Sequence, residues 1–267
     1  MNLLETIFLG LIQGLTEFIP ISSSGHLVIA QNFLSGASDH LFLEWINIGT
    51  LLALIVYFRK RLIGIAHDIL IKKNYRLARN IIITALPAGV VGFLLADFIN
   101  QSSFFGSIAT VTVTIGLVGV VMIILEHLPK ASSVRSGEEL SAGRALLIGI
   151  AQIFALIPGV SRSGSTIISG RLLGLSAAQA AEYSFLASLP IMVGVTFKLV
   201  ISSADRQYFI EHAGVLIVSN LVAFVSGWLA VGFLIKYLSK HGLALFGWYR
   251  VILAAILAIG LLLQWIK

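Results

Sequence analysis

Cysteine is absent from the 267 residues, which excludes disulfide staples and thiolate metal sites. Charge is scarce, with 11% of positions Asp, Glu, Lys or Arg against 58% apolar. A water-soluble domain needs charge over its surface, so this balance, with a mean hydropathy of +0.98, excludes an ordinary soluble fold and indicates a membrane protein. The first residues, MNLLETIFLG, lack a cationic stretch and carry Glu5, so they read as part of the mature fold and not as a cleavable signal.

What is plentiful agrees. The 25 glycines suit closely packed membrane helices. The formal net charge of +6 raises the question of nucleic acid. However, Arg59, Lys60, Arg61, Lys72, Lys73, Arg76 and Arg79 all fall in one connection between apolar segments, which is the positive-inside pattern of a membrane protein. No nucleic-acid partner is expected.

Six apolar stretches are long enough to span a bilayer as helices, which takes about 20 residues: Leu41 to Phe58, Ile81 to Phe98, Phe104 to Leu125, Glu182 to Ile201, Ala213 to Leu238 and Leu243 to Ile266. Pro87 and Pro190 lie inside two of them and predict kinks. Glu44 and Glu182 are read as opening spans, where a carboxylate favours the positive helix end. Lys130 to Arg144 reads as a solvated loop, and Trp45, Trp228, Trp248 and Trp265 as packing or interfacial anchors.

Two further regions, Leu3 to Leu34 and Ala145 to Leu175, are apolar but interrupted midway by proline, serine and glycine. Irregular backbone persists at membrane depth only where protein buries it or a wet cavity adjoins it, so both are expected to be re-entrant helical hairpins. The basic connection after the first span, and the Lys130, Arg135, Arg144 group after the third, place those loops in the cytoplasm. The loop with Lys236, Lys240 and His241 is then internal, both termini are external, and the two hairpins enter from opposite faces.

Sliding the sequence along itself by 139 residues lays GLIQGLTEFIPISSSGH, from Gly10, over GIAQIFALIPGVSRSGS, from Gly149. Gln13, Ser22, Ser24 and Gly25 fall on Gln152, Ser161, Ser163 and Gly164. Three spans separate the hairpins, an odd number, so the halves insert with opposite topology. The expectation is one all-α integral membrane domain over 1–267, with six transmembrane helices and two re-entrant hairpins arranged as an inverted repeat, halves approximately 1–127 and 143–267.

The hairpins carry the polar residues. Gln13 and Glu17 share one helix face, Pro20 stops that helix, and Ser22-Ser23-Ser24-Gly25-His26 opens the next. Pro158-Gly159 breaks the second region before Ser161-Arg162-Ser163-Gly164-Ser165-Thr166. Each serine cluster offers an N-cap, free N–H groups and a positive helix end, which together make an anion site. Two such ends facing each other suit a diphosphate. Arg162 at membrane depth costs at least ~2.5 kcal/mol unless a partner or function retains it; it either clamps phosphate or pairs with Glu17 or Glu182.

Glu17 is a proton acceptor, a ligand with Gln13 for Mg²⁺ or Ca²⁺, or a protonated structural group. His26 shuttles a proton or packs. Ser23 is the best candidate nucleophile, with direct attack by water the alternative. Ser22, Ser24, Gly25, Ser161, Ser163, Gly164 and Thr166 are the candidate phosphate holders.

QGLTEFIPISSSGH and PGVSRSGST resemble the two signature motifs of the undecaprenyl pyrophosphate phosphatase family, also called the bacitracin-resistance protein family, and the likeness covers essentially the whole chain, including AAEYSFLASLP. The resemblance implies a metal-dependent hydrolase of the bacterial inner membrane. It would convert undecaprenyl pyrophosphate to the monophosphate, recycling the lipid carrier of cell-wall synthesis and conferring bacitracin resistance. Carried over by position, Glu17, Ser23, His26 and Arg162 are the catalytic group. Gln13 stands where many members have glutamate, so one carboxylate is available instead of two. The site is expected to open externally, a homodimer is left open, and a polyprenyl-phosphate flippase or transporter is the rival reading.

Overall fold

The computed structural model describes residues 2–30, 32–34, 39–128 and 132–266. All regular structure among them is helical. The first half holds α1 (Leu3–Phe18), α2 (Ser23–Ala30), α3 (His40–Tyr57), α4 (Arg59–Leu70), α5 (Arg76–Leu94), α6 (Ala96–Gln101), α7 (Ser103–Gly106) and α8 (Ile108–His127). The second holds α9 (Ala142–Ile153), α10 (Arg162–Leu172), α11 (Ala177–Ile201), α12 (Ser203–Glu211), α13 (Ala213–Leu238) and α14 (Ala244–Leu262).

Six of these, α3, α5, α8, α11, α13 and α14, are long and apolar enough to cross a membrane. They coincide with the six expected spans. Only 28% to 44% of each apolar window is buried inside the protein, so most of each helix surface faces outward as an apolar belt, with Leu86, Phe93, Leu117, Leu221 and Leu262 on it. Such a surface is stable against lipid and not against water.

The helix ends differ from expectation at several places. α5 and α11 begin five residues before the apolar runs do, at Arg76 and Ala177. For α11 the reason is a capping box, in which Ser176 accepts from Gln179 N and Gln179 reaches back to Ser176 N. Glu44 and Glu182 therefore do not open their helices. Glu44 sits one turn inside α3, 3.5 Å from His40, and Glu182 lies 3.3 Å from Arg61. α5 and α11 run through Pro87 and Pro190 without interruption.

The basic connection after α3 is itself helical, as α4. The charged segment after α8 is docked and not merely solvated: Val134 and Leu140 are buried, Val134 N donates to Gly174 O, and Asn74 Nδ2 donates to Glu138 across 2.6 Å. Lys130 lies outside the described residues. Asn80, fully buried in α5, donates to the carbonyls of Gly137 and Leu140, which joins the two basic connections at one end of the molecule. At α12, the Tyr208 hydroxyl donates to the Asp39 carboxylate at the start of α3. Burial, then that carboxylate, pushes the phenol above its ordinary range and keeps it a donor.

Proline ends both segments: α1 stops at Phe18, and α9 runs on as a 3-10 turn over Phe154–Leu156 before Pro158. Ile19 (ψ 133°) and Ile157 (ψ 120°) are extended because Pro20 and Pro158 follow them and disfavour helical backbone in the preceding residue. α1 packs on α13 as α9 packs on α5. Both crossings are close because glycine permits it: a β-carbon at Gly10 would lie 2.8 Å from the Ser219 carbonyl oxygen, and one at Gly149 2.7 Å from that of Thr84. These crossings carry the two broken segments inward, toward each other.

Candidate active site

The two breaks end in helix starts of the same construction. Ser22 and Ser161 both adopt left-handed backbone, with φ of 76° and 77°, a conformation that costs a non-glycine residue on the order of 1 kcal/mol. That geometry turns each hydroxyl onto the helix it precedes. Ser22 Oγ accepts from Gly25 N at 3.2 Å, and Ser161 Oγ from Gly164 N at 3.1 Å. Each cap hydroxyl also pairs with the serine two residues on, Ser24 at 3.2 Å and Ser163 at 3.1 Å. Both helices thus begin with a cap and with oriented N–H groups at their positive ends.

The breaks meet. A β-carbon on Gly25 would lie 3.3 Å from Gly159 Cα, and Arg250, fully buried on α14, bridges them. Its Nη1 donates to Pro20 O at 3.1 Å, its Nη2 to Gly159 O at 2.5 Å and Val160 O at 3.3 Å, and its Nε to Ile115 O at 3.2 Å. Among the described residues Arg250 has no carboxylate partner, so its charge is balanced only by carbonyl dipoles.

Glu17 is the centre of the polar network. One carboxylate oxygen accepts from the Ser23 hydroxyl at 2.6 Å and from Gln13 Nε2 at 3.1 Å. The other is held by the Arg162 guanidinium, whose Nη2 also approaches Met192 Sδ at 3.8 Å. Arg162 therefore pairs with Glu17 and not with Glu182. The pair is itself net neutral.

His26 is tied at both ring nitrogens. Nδ1 is 2.7 Å from Ser22 O, and Nε2 is 2.7 Å from the Tyr249 hydroxyl. Thr166 stands apart from the other expected phosphate holders, because its hydroxyl is buried and committed to Arg162 O at 2.8 Å and Ser184 Oγ at 2.6 Å.

A hard divalent cation needs oxygen ligands. Asn47 Nδ2 donates to Leu43 O, which turns Asn47 Oδ1 toward Gln13 and fixes Gln13 Nε2 as the donor between Asn47 and Glu17. Gln13 Oε1 is left buried without a hydrogen-bond partner. One orphaned amide oxygen beside one carboxylate fits such an ion when substrate oxygens complete its shell. No group of three His, Asp or Glu side chains placed to hold a metal occurs among the described residues.

Asn47, Tyr249 and Arg250 were not singled out by motif. Asn47 and Tyr249 have no local signal. Arg250 has one, an ionisable side chain in the middle of an apolar span, which is a functional pointer on energetic grounds alone.

Fold and site define a multi-pass membrane protein whose centre pairs a serine, a carboxylate and a guanidinium beside two capped helix starts. The model of the family described as Bacitracin resistance protein BacA matches residues 6–256, and the chain belongs to that family. It is 34% identical to Undecaprenyl-diphosphatase 2 of Paramagnetospirillum magneticum, over 98% of this chain and 100% of that protein. Identity is 36% to the Undecaprenyl-diphosphatase of Nitrosomonas europaea, over 93% and 91%. It is 35% to that of Enterococcus faecalis, over 96% of each.

Proposed function

We propose that this chain is an undecaprenyl-diphosphatase, which hydrolyses undecaprenyl pyrophosphate to undecaprenyl phosphate and inorganic phosphate. The observation that carries the chemistry is the 2.6 Å hydrogen bond from Ser23 to the carboxylate that Arg162 also holds. The diphosphate binds between the capped starts of α2 and α10, where Ser24, Ser163 and main-chain N–H groups meet its oxygens. Arg162 transfers from Glu17 to phosphate, its planar fork suiting either anion. Glu17, no longer paired with Arg162, takes the Ser23 proton, and Oγ attacks the terminal phosphorus in line. The bond to the bridging oxygen breaks, and its electron pair leaves with the polyprenyl phosphate.

Water then opens the phosphoseryl group. Protonated Glu17 returns its proton to Ser23 Oγ as that oxygen leaves, and His26 receives the proton of the water. Gln13 and Glu17 would hold a Mg²⁺ or Ca²⁺ ion, which when bound neutralises phosphate charge. The prenyl tail lies among the apolar outer faces of the helices.

The two broken segments are read as re-entrant hairpins of an inverted repeat. The matched backbone of Ser22 and Ser161 and the matched glycine crossings at Gly10 and Gly149 support this. The basic residues of the joined connections support placing that end in the cytoplasm, and the site is read as opening externally in the bacterial membrane. The test is phosphate release from a prenyl pyrophosphate by purified protein in detergent, where no gradient exists to drive a carrier. Wild-type protein releases phosphate, and Glu17→Ala and Arg162→Ala lose that activity. Release at the unmodified rate by either variant overturns the reading.

A further inference from the structure

His26 is offered to the reaction through one atom only, and that atom is already engaged. The carbonyl of Ser22 can only accept a hydrogen bond, so His26 Nδ1 carries a proton and donates it across 2.7 Å. In the neutral ring Nε2 is then the lone-pair nitrogen. It accepts from the Tyr249 hydroxyl across 2.7 Å, with the two rings nearly parallel at 9°. Nothing reaches Nε2 without displacing that hydroxyl or passing a proton through it.

Displacement is opposed by the surroundings. Tyr249 precedes Arg250, whose guanidinium is anchored on Pro20, Gly159 and Val160, so α14 is pinned at this level. Passage is favoured by chemistry, because a phenol is both donor and acceptor, and Tyr249 is not enclosed by the protein, the residue being 43% exposed. We propose that Tyr249 is a further catalytic residue, the proton carrier between the attacking water and His26. The water gives a proton to the Tyr249 oxygen while Tyr249 gives its own to His26 Nε2. The water oxygen keeps its electron pair and bonds to phosphorus as the phosphorus–Ser23 Oγ bond breaks and Glu17 returns its proton to Oγ; the phenol is regenerated, and His26 becomes imidazolium. The proton leaves His26 by the reverse path after phosphate departs.

This inference rests on the reading of His26 as the acceptor of the water proton, and the experiment separates the two. Phosphate release from farnesyl pyrophosphate is measured for wild-type, Tyr249→Phe, His26→Ala and the double variant, in detergent. Tyr249→Phe keeps the ring and frees Nε2, so a tyrosine that merely packs or blocks leaves kcat unchanged or raised. A proton carrier lowers kcat about tenfold or more, with KM within about twofold because the diphosphate cradle is intact. In the His26→Ala background the same change costs nothing further. Nitrogen-15 spectra of histidine-labelled protein, assigned with His26→Ala, report the Nδ1–H tautomer in the wild type; an Nε2–H tautomer overturns the inference independently of activity. His26→Ala slow with Tyr249→Phe at the wild-type rate overturns this inference alone. His26→Ala at the wild-type rate overturns the underlying reading of His26.

Discussion

Arg162, at the start of α10, holds the carboxylate of Glu17, near the end of α1, so the base of the proposed reaction is masked by the cation proposed to bind the substrate. In the proposed reaction substrate phosphate competes with Glu17 for one guanidinium, and binding thereby unmasks the base. Arg162→Ala removes both functions and is expected to lower kcat/KM by about 10²–10³, the range for a lost oxyanion donor. Arg162→Lys recovers little of it, since an ammonium cannot reproduce the planar fork. Steady-state phosphate release measures both.

Ser22 and Ser161 pair strain with capping, which gives opposite signs for two substitutions. Glycine takes the left-handed backbone freely, relieving on the order of 1 kcal/mol, and as an N-cap costs only a few tenths of a kcal/mol. Alanine keeps the strain and loses the cap, which costs about 1 kcal/mol. Thermal unfolding in detergent should therefore rank Ser161→Gly at or above the wild type and Ser161→Ala below it. Both lose activity, because both lose the hydroxyl that pairs with Ser163.

Arg250 ties the two breaks through carbonyls that have few other donors. Arg250→Met strands the Pro20, Gly159 and Val160 oxygens in the interior, at about 1 kcal/mol or more each. Marked loss of thermal stability is expected, together with loss of activity. Arg250→Lys reaches fewer carbonyls and should fall between the two.

Gln13→Glu sets a second carboxylate against Glu17, in place of the Gln13 Nε2 that now donates to it at 3.1 Å. Like charges so close favour a shared cation, so the divalent concentration giving half-maximal activity should fall, and activity in EDTA should fall as well. Titration with Mg²⁺ and Ca²⁺ after chelation checks both.

The six spans, the two broken segments and the group Glu17, Ser23, Arg162 were legible in sequence, because apolar length, proline placement and motif are local signals. The starts of α5 and α11 were not, since a capping box such as Ser176 with Gln179 is polar and lies ahead of the apolar run it launches. The left-handed backbone at Ser22 and Ser161 has no compositional mark in a non-glycine residue. Thr166 shares a motif with the proposed phosphate holders, but helical geometry turns its hydroxyl toward Ser184 on α11. Tyr249 and Asn47 reach the site through long-range packing alone. Arg250 was readable as a lone cation in a span; the carbonyls it bridges, those of Ile115, Pro20, Gly159 and Val160, were not.

The role of the Ser23 hydroxyl is decided by the rate of phosphate release from undecaprenyl pyrophosphate by purified Ser23→Ala protein beside the wild type, at matched folding and divalent cation. Ser23→Ala is expected to lose essentially all of the catalysed rate while still binding the substrate. Release at the wild-type rate would contradict it, because the hydroxyl held by Glu17 would then take no part in breaking the phosphoanhydride.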